Sequence, residues 1–427
     1  GNAGCYIDMR CSAVLQTGGL QYTNLSGRHG QIKVNIGFTM RIVWTTWFFL
    51  DYRIPVFKEL SQLEGVDFYL LYNSDIKFGN INQKIKAVLG NQVIPMTGSI
   101  NLSHKFTSGV ANKGFRIPYQ PGLIRRISQL KPDVMISDGF FQWTYAPLVL
   151  RAIKGIPHVM CYERTSHTER NAQIIRRIYR KAVMRWIDAI CCSGKLCGEY
   201  VASMGFDKEK ITFGHMVADL EHLQKKSNEQ EGNCTDLKKK LGLSGIVYLY
   251  VGRIHEMKGV MNMLAAWLEF VSGLVDTPTL LIIGSGDQDE ALRAEIDFQN
   301  LDSVKFLGWI NYDDITDYYE VADIFILPTL EDNWSLVVPE AMACGLPVIT
   351  SIYNGCWPEL VHESNGWVMD PLNHRNFVDT LYESFKAQAR FKKMGESSLE
   401  IISKYNPLSA AMNIYETCRI AVESQKT

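Results

Sequence analysis

The alternation of short apolar runs with longer amphipathic stretches constrains this fold more than any other feature of the sequence. It begins at Met40, where MRIVWTTW is followed by a helical pattern over 54–64 and by the apolar run VDFYLLYN over 66–73. Strands that alternate with helices in this way predict parallel sheets with helices on both faces. The same rhythm restarts at 245–251 and continues to 366–369, which indicates two sheets in series.

The length of the chain also favours two domains, because 427 residues exceed the size at which single cores stop growing, roughly 250–300 residues. We predict a doubly wound, Rossmann-like α/β domain over 40–218 and a second one over 219–406, facing each other across a cleft. A helix over 407–427 is expected to cross back to the first domain. Residues 1–39 show no periodicity and are predicted to lie outside the fold, and 221–240 resemble a linker or exposed loop.

The charge of the chain is distributed unevenly between its halves. Residues 40–215 carry 24 Lys and Arg against 13 Asp and Glu, whereas 216–427 carry 17 against 31. A basic first half would suit nucleic acid, an anionic membrane surface or an anionic substrate, although opposite charge could also simply hold two lobes together. Nucleic acid is disfavoured, because no recognition motif or interleaved aromatic platform accompanies the charge.

The stretch 323–350, DIFILPTLEDNWSLVVPEAMACGLPVIT, carries the strongest chemical signal. We expect its helix to begin near Trp334 or Ser335, where exposed backbone N–H groups would bind an anion such as phosphate. Asp332 in the loop and Glu340 in the helix are spaced to face one cleft, and carboxylates accept hydrogen bonds from sugar hydroxyl groups. The stretch therefore predicts a site for a sugar, a diphosphate and a ribose in a line.

Two further loops follow strands of the same predicted sheet. In VGRIHEMKG, 251–259, Arg253 and Lys258 place two cations at the carboxyl edge of an acidic half. An anionic ligand would explain them, and two solvated surface cations are the alternative. Gly284 and Gly286 permit close approach of a ligand to the backbone, although a lone Gly-x-Gly is a weak signal.

In order and spacing, these segments resemble the nucleotide-sugar-binding domain of GT-B glycosyltransferases, of the large retaining family called group 1 or family 4. The resemblance is carried by GRIHEMKG, LIIGSGD, VKFLGWI, ADIFILPTLEDNWSLVVPEAMACGLPVI, GCWPELV and SNGWVMDP. At the end of the first half, CCSGKLCGEYVASMGFDKEKITFGHMVAD resembles the family's closing strand–helix–strand unit. Residues 40–187 match only in strand–helix rhythm.

The resemblance implies a role for each matching position. Arg253 and Lys258 would neutralise the departing diphosphate, Glu340 would bind the ribose hydroxyls, and Ile310 would meet the base through its backbone. The other donor-binding positions that it implies are Gly252, Gly284, Gly286, Glu331, Asp332, Asn333, Trp334, Ser335 and Leu336.

Two positions depart from the family's pattern. The first acid of its Glu-x7-Glu pair falls on Asp332, one methylene shorter, and Glu331 could take the role with a one-residue shift. Where the family carries a His, this chain has Glu163, which we expect to contact the donor sugar or the acceptor hydroxyl as a catalytic group. His167 is a nearby alternative, and a surface ion pair between Glu163 and Arg164 is the purely structural reading.

A basic amphipathic helix is predicted over 171–187. The residues predicted to face the acceptor or a membrane are Arg164, Arg176, Arg177, Arg180 and Lys181. Its apolar positions, among them Ile174, Ile175 and Ile178, are expected to pack into the core rather than insert into lipid. Because cationic side chains are drawn to anionic headgroups, we hypothesise a cytoplasmic protein that is peripheral on the inner face of the cytoplasmic membrane.

No metal or other cofactor is predicted. Asp287 and Asp289 imitate the Asp-x-Asp motif of metal-dependent transferases, but acids at a helix start are ordinary capping residues. The ten cysteines form no Cys-x-x-Cys pair, which favours reduced thiols in a cytosolic protein.

These features predict a GT-B enzyme that moves a sugar from a nucleotide diphosphate to the hydroxyl of a saccharide or lipid-linked acceptor, and the resemblance implies retention of the anomeric configuration. A nucleotide-sugar epimerase on the same architecture and a catalytically silent partner of another glycosyltransferase stay open as alternatives. A dinucleotide-dependent oxidoreductase is disfavoured, because no Gly-x-Gly-x-x-Gly turn follows a first strand.

Overall fold

The computed structural model describes residues 39–76, 79–103, 116–218, 220, 223, 233–243 and 245–425. Its first half contains β1 (Met40–Thr46), β2 (Val66–Asn73), β3 (Val93–Met96), β4 (Ile100–Ser103), β5 (Arg116–Tyr119), β6 (Val134–Asp138), β7 (His158–Tyr162), β8 (Ala189–Cys192) and β9 (Ile211–Phe213). Seven of these strands form a parallel sheet in the order β3-β2-β1-β6-β7-β8-β9. Strands β6 and β7 are buried along their whole length, as central parallel strands covered on both faces must be.

The second half contains β10 (Val247–Val251), β11 (Thr279–Ile283), β12 (Val304–Gly308), β13 (Ile324–Leu327), β14 (Val348–Ser351) and β15 (Gly366–Met369). They form a second parallel sheet in the order β12-β11-β10-β13-β14-β15. The strand order reverses between β1 and β6 and again between β10 and β13, and ligands of such sheets bind at this reversal, outside the carboxyl ends. Two doubly wound domains confirm the predicted fold class.

Helices flank both sheets. Those of the first half are α1 (Arg53–Gln62), α2 (Ile81–Leu89), α3 (Leu123–Leu130), α4 (Tyr145–Lys154), α5 (Ile174–Val183) and α6 (Lys195–Ser203). Those of the second half are α7 (Asn233–Leu241), α8 (Val260–Ser272), α9 (Asp289–Phe298), α10 (Ile315–Val321), α11 (Val337–Ala343), α12 (Trp357–Leu360), α13 (His374–Lys386), α14 (Phe391–Ile402) and α15 (Pro407–Glu423).

Some local predictions differ from the structure. The predicted linker 221–240 contains most of α7, because Leu237 packs against the second core and gives this charged segment one apolar anchor. The antiparallel pairing of β4 with β5 was not expected, since each of these strands is only four residues long. The predicted extension 1–39 lies outside the described residues, apart from Thr39.

Helix α15 packs against the first domain although it follows the second along the chain. Pro407 occupies its first turn, and Asn406 and Ser409 close a capping box at its start. The small side chains of Ala410 and Ala411 are fully buried in the core cluster that also holds β1 and β7 residues. They allow close packing of the helix, which therefore returns the chain from the second sheet to the first.

Candidate active site

The loops that follow β10 and β11 touch each other at the carboxyl edge of the second sheet. The amide of Gly252 donates to the carbonyl of Ile283 at 3.0 Å. A Cβ on Gly284 would lie 1.7 Å from the Gly252 oxygen, and one on Gly286 would lie 2.1 Å from the Ile254 oxygen. Both positions therefore require glycine for contact between the loops, a reason separate from the ligand approach that the sequence suggested.

Lys258 and Asp332 meet at the reversal of the strand order. Lys258 ends a 3₁₀ turn after β10, and its Nζ donates to Oδ2 of Asp332, which follows β13. Asp332 also accepts from Ser335 Oγ at 2.5 Å and from the Trp334 amide at 3.2 Å. Burial alone would raise the pKa of Asp332, but the Lys258 charge and these hydrogen bonds outweigh burial and lower the pKa. Asp332 is therefore ionised.

Arg253 is the open cation beside this pair. Its side chain is exposed, and its carbonyl accepts from the Tyr250 hydroxyl at 2.8 Å, which fixes the backbone of the loop. Across the residues that the structure describes, no carboxylate lies within 4 Å of the Arg253 guanidinium. An anion entering the site would meet this free charge first.

Glu340 occupies the first turn of α11 and is buried. Its Oε2 accepts from the Tyr319 hydroxyl at 3.0 Å. Burial raises the pKa of Glu340 to about 7, although hydrogen bonds from Tyr319 and Tyr312 pull it downwards. Near neutral pH this carboxyl group therefore exchanges readily between its neutral and ionised forms, and a hydroxyl donor would favour the ionised form.

The loop between β13 and α11 is pinned on both sides. The Leu330 amide donates to the Met257 carbonyl at 2.8 Å, and the Gly355 amide donates to the Asp332 carbonyl at 3.0 Å. A Cβ on Gly355 would lie 1.8 Å from the Asn333 oxygen. The helix itself begins at Val337, slightly later than expected, because these contacts hold the preceding residues in a loop.

The remaining donor-binding candidates lie around this loop. Trp334 and Ser335 are buried, and Leu336 is the residue that precedes the first turn of α11. Ile310 is half-buried just beyond β12, next to Trp309, whose ring is 70% exposed. No contact here assigns any of them to a ligand, so their roles stay predictions.

Glu163 directly follows β7 and is half-buried. Burial raises the pKa of Glu163, Arg53 and Arg164 lower it, and the nearby charges of Asp138 and Asp332 raise it. Asp332 belongs to the second domain, and Glu163 lies within electrostatic range of the Asp332 site. The expected alternative, a surface ion pair between Glu163 and Arg164, does not form among the described residues, where Arg164 Nε instead lies 3.8 Å from Glu169 Oε1.

Glu331 and His167 were the alternatives for the two positions at which the sequence differs from the family's pattern. They lie together in a contact between the domains. Glu331 pairs with Arg170 of the first domain, with Nη1 and Oε2 2.7 Å apart. His167 Nε2 donates to the Leu330 carbonyl at 2.8 Å, and its ring stacks on Tyr353 at 4.3 Å. We call His167, Arg170, Leu330, Glu331 and Tyr353 the interdomain latch.

Sequence reasoning missed a buried polar cluster beneath Glu163. Arg53 Nη1 lies 2.9 Å from Asp138 Oδ1, and His215 Nε2 donates to the Tyr162 carbonyl at 2.9 Å. Burial and the Arg53 charge lower the pKa of His215 to about 3, so this histidine is neutral. The signal was available, because Asp138 ends β6 and His215 comes shortly after β9, at the same carboxyl edge.

The predicted orientation of the basic helix is wrong. Arg176 and Arg180 are buried, whereas Ile174, Ile175 and Ile178 are exposed. The reason is that Arg180 pairs with Glu169 at 2.7 Å and lies over the Phe140 and Phe141 rings. Arg177 and Lys181 are exposed, as expected, and share the outer face with the isoleucines.

Asp287 and Asp289, which imitate a metal-binding motif, make contacts within the protein. Asp289 accepts from the Gly286 amide at 2.8 Å and so stabilises the turn that precedes α9, while Asp287 lies 3.6 Å from His255 Nε2. Over the described ranges, no group of three or more His, Cys, Asp or Glu side chains is placed to hold a metal ion.

Models of known protein families match segments in both halves of the chain. Residues 235–400 match the family model described as glycosyl transferases group 1, and residues 91–222 match that of glycosyltransferase family 4. The chain is 24% identical over 390 residues to the sulfoquinovosyl transferase SQD2 of Arabidopsis thaliana, covering 85% of this chain and 72% of that enzyme.

A second relative aligns over less of its length. The chain is 26% identical over 216 residues to the Escherichia coli UDP-Gal:alpha-D-GlcNAc-diphosphoundecaprenol alpha-1,3-galactosyltransferase, covering 47% of this chain and 54% of that enzyme. The alignment thus spans about half of that relative.

Solved structures share the fold over nearly the whole chain. Anabaena HepE in complex with UDP superposes with a TM-score of 0.66 at 15% identity, covering 89% of this chain and 99% of that one. Sucrose-phosphate synthase from Thermosynechococcus elongatus superposes with a TM-score of 0.59 at 16% identity, covering 90% and 100%.

Proposed function

Because the chain belongs to the group 1 glycosyltransferases of GT-B fold, we propose that it transfers a sugar from a nucleoside diphosphate to an acceptor hydroxyl, with retention of configuration and without a metal. The observation that carries this proposal is the pair of cations, Arg253 and Lys258, at the reversal of the second sheet. One of them is free, and the other is held in place by the ionised Asp332. Together the two cations supply the charge that a departing diphosphate needs.

In the proposed reaction, the acceptor oxygen bonds to the anomeric carbon as the bond from that carbon to the diphosphate oxygen breaks. The acceptor's proton passes to the departing phosphate oxygen, so no strong protein nucleophile is required. Arg253 and Lys258 neutralise the charge that develops there, and Glu340 accepts hydrogen bonds from the ribose. Glu163, at the end of β7, contacts the sugar or the acceptor from the opposite side of the cleft.

The names of relatives suggest a class of donor and a class of acceptor. Anabaena HepE was solved with UDP-glucose, and the E. coli relative is named for UDP-Gal and a diphosphoundecaprenol acceptor. We therefore propose a UDP-sugar donor and a saccharide or lipid-linked acceptor, with the first domain facing the cytoplasmic side of an anionic membrane. In the part of the chain that the structure describes, no helix is both long and apolar enough to cross a bilayer.

Calorimetric titration with UDP, GDP, dTDP, CMP and NAD, without and then with Mg²⁺, tests the donor class. Tight binding of UDP without Mg²⁺ is the expected result, and binding of NAD alone would contradict the proposal. Product analysis without acceptor then distinguishes a transferase from an epimerase, because only an epimerase would convert the donor in that mixture.

Replacement of Lys258 tests the mechanism. Lys258→Ala should reduce turnover by at least about 100-fold, because an electrostatic contact with the departing group is lost. Lys393→Ala, at an exposed position of α14, is the control and should retain wild-type turnover. Unchanged turnover of Lys258→Ala would remove this residue from the mechanism.

A further inference from the structure

The outer face of α5 presents apolar and basic side chains together. Ile174, Ile175 and Ile178 are 74%, 67% and 62% exposed. Arg177 and Lys181 are exposed on the same helix, and Arg185 follows in the 3₁₀ turn Met184–Trp186 with its guanidinium over the Trp186 ring. Three isoleucines within five residues form a concentrated apolar surface, and contiguous apolar surface of this kind marks interaction sites. The name α5 face is used below for Ile174, Ile175, Arg177, Ile178, Lys181 and Arg185.

The exposure of the isoleucines is enforced by what lies beneath the helix. Arg180 and Glu169, 2.7 Å apart, each have side chains only 3% exposed, and Arg180 Nη1 also donates to the Tyr200 hydroxyl at 3.0 Å. Rolling the helix to bury the isoleucines would expose or separate this ion pair, and breaking a buried pair is strongly unfavourable. The apolar side chains therefore stay outward as long as the domain is folded.

From this arrangement we infer that the α5 face docks on an anionic lipid surface. The isoleucines would enter the boundary between headgroups and acyl chains, while Arg177, Lys181 and Arg185 remain at the phosphates. Among the described residues, no carboxylate lies within 4 Å of Arg177 or Lys181, so both charges are available to lipid. The inference deepens the proposed membrane-facing role of the first domain and rests on it.

A lipid surface fits this face better than a second copy of the chain. A two-fold contact would place the same patch against itself, so that Arg177 and Lys181 would approach their own equivalents. Like charges in contact are unfavourable, whereas an anionic bilayer satisfies the basic and apolar side chains at the same time.

Flotation of the full chain with lipid vesicles tests the inference. We expect binding to vesicles that contain phosphatidylglycerol, weaker binding at high salt, and little binding to neutral phosphatidylcholine vesicles. Arg177→Gln/Lys181→Gln should lower the partition coefficient about 30-fold at low salt. Ile174→Ser/Ile175→Ser/Ile178→Ser should lower it roughly 100-fold, because the apolar contact is lost.

Matched controls separate docking from folding and from donor binding. Lys392→Gln/Lys393→Gln and Phe298→Ser change exposed residues of the second domain and should float like the wild type. UDP affinity measured on every variant reports whether the fold and the donor site are intact. A wild type that binds UDP but not anionic vesicles would overturn the inference and leave the proposed donor class standing.

Two further outcomes would also overturn the inference. Isoleucine variants that bind UDP and still float like the wild type would show that the α5 face is not the docking surface. An isoleucine triple variant that changes the sedimentation of the protein, with flotation unchanged, would assign the face to self-association.

Discussion

At the scale of single residues, the proposed donor site holds two carboxyl groups in different states. Asp332 is half-buried but ionised, because the Lys258 charge and two further hydrogen bonds stabilise its negative form. Glu340 is buried, and the hydrogen bonds that offset its burial come from the Tyr319 and Tyr312 hydroxyls, so its pKa rises to about 7. Environment rather than residue type separates the two groups. The ionised group positions the ammonium of Lys258, and the second group has a charge that depends on pH.

The titration of Glu340 predicts a dependence of stability on pH. Between its usual value of 4.5 and about 7, the folded protein keeps a proton on Glu340 that the unfolded chain has lost. The free energy of unfolding therefore falls as the pH rises through this window. Relative to Glu340→Gln, the free energy of unfolding of the wild type should fall by on the order of 3 kcal/mol between the low-pH and high-pH ends of this window.

Denaturant unfolding at a series of pH values measures this difference. Glu383→Gln, at an exposed position of α13, is the control and should follow the wild-type profile. Parallel pH profiles for the wild type and Glu340→Gln would mean that Glu340 titrates normally.

At the scale of elements, the interdomain latch joins the segment after β7 to the loop that carries Asp332. Its ion pair joins the basic first domain to the acidic second one, as the uneven charge of the sequence allowed. Arg170 is 41% exposed and Glu331 12%, so the pair is partly screened. The ion pair matters because of its position in the chain, since Leu330 and Glu331 directly precede Asp332. The latch therefore holds the loop that carries Asp332 against the first domain.

Charge reversal tests the latch. Arg170→Glu and Glu331→Arg should each lower turnover about 3- to 5-fold, because a partly exposed ion pair is replaced by repulsion. The double variant should recover most of the loss, which a merely local effect of either residue would not do.

The same exchange at Arg375 and Asp379 of α13, 3.1 Å apart, should leave turnover unchanged. If the losses of turnover in the two single variants add in the double variant, Arg170 and Glu331 act independently and the latch prediction is wrong.

The elements were largely predictable, and the orientation of one helix was not. Strands such as β10 follow from short apolar runs, which can be buried only in a covered sheet. The face that α5 buries depends on Glu169, Phe140 and Phe141, and no periodic pattern encodes contacts with residues that lie earlier in the chain. A helical pattern of Ile and Arg therefore suggested a buried apolar face, whereas the buried partners select the arginines.

Part of the candidate site could likewise be predicted from the sequence, and part of it could not. Lys258 and Asp332 could be assigned to one cleft, because strand ends of a parallel sheet meet at one edge. The roles of Glu331 and His167 in the latch could not, since they depend on how the two domains face each other. Arg53 was missed because it begins α1, whereas its partner Asp138 ends β6, 85 residues later in the chain.

At the scale of the whole molecule, the chain crosses between the two domains twice. It leaves the first near Met216, which already belongs to the second core, and returns through α15. The Thr417 hydroxyl lies 2.5 Å from that of Thr212, which precedes the first crossing. Helix α15 thus passes beside β9, and movement of one domain relative to the other must bend the chain near the two crossings.

The position of α15 predicts that a substitution late in the sequence destabilises the first domain. Ile414→Ala removes a fully buried side chain from the core that holds β1 and β7, at a cost of about 2–5 kcal/mol. Hydrogen exchange should therefore accelerate in β1 and β7, and less in β10. Ile402→Ala is the matched control, because Ile402 is equally buried but belongs to the second core, so its exchange should accelerate in β10 instead. Equal acceleration of both sheets by either variant would mean that the two domains unfold as one unit, with α15 no more part of the first than of the second.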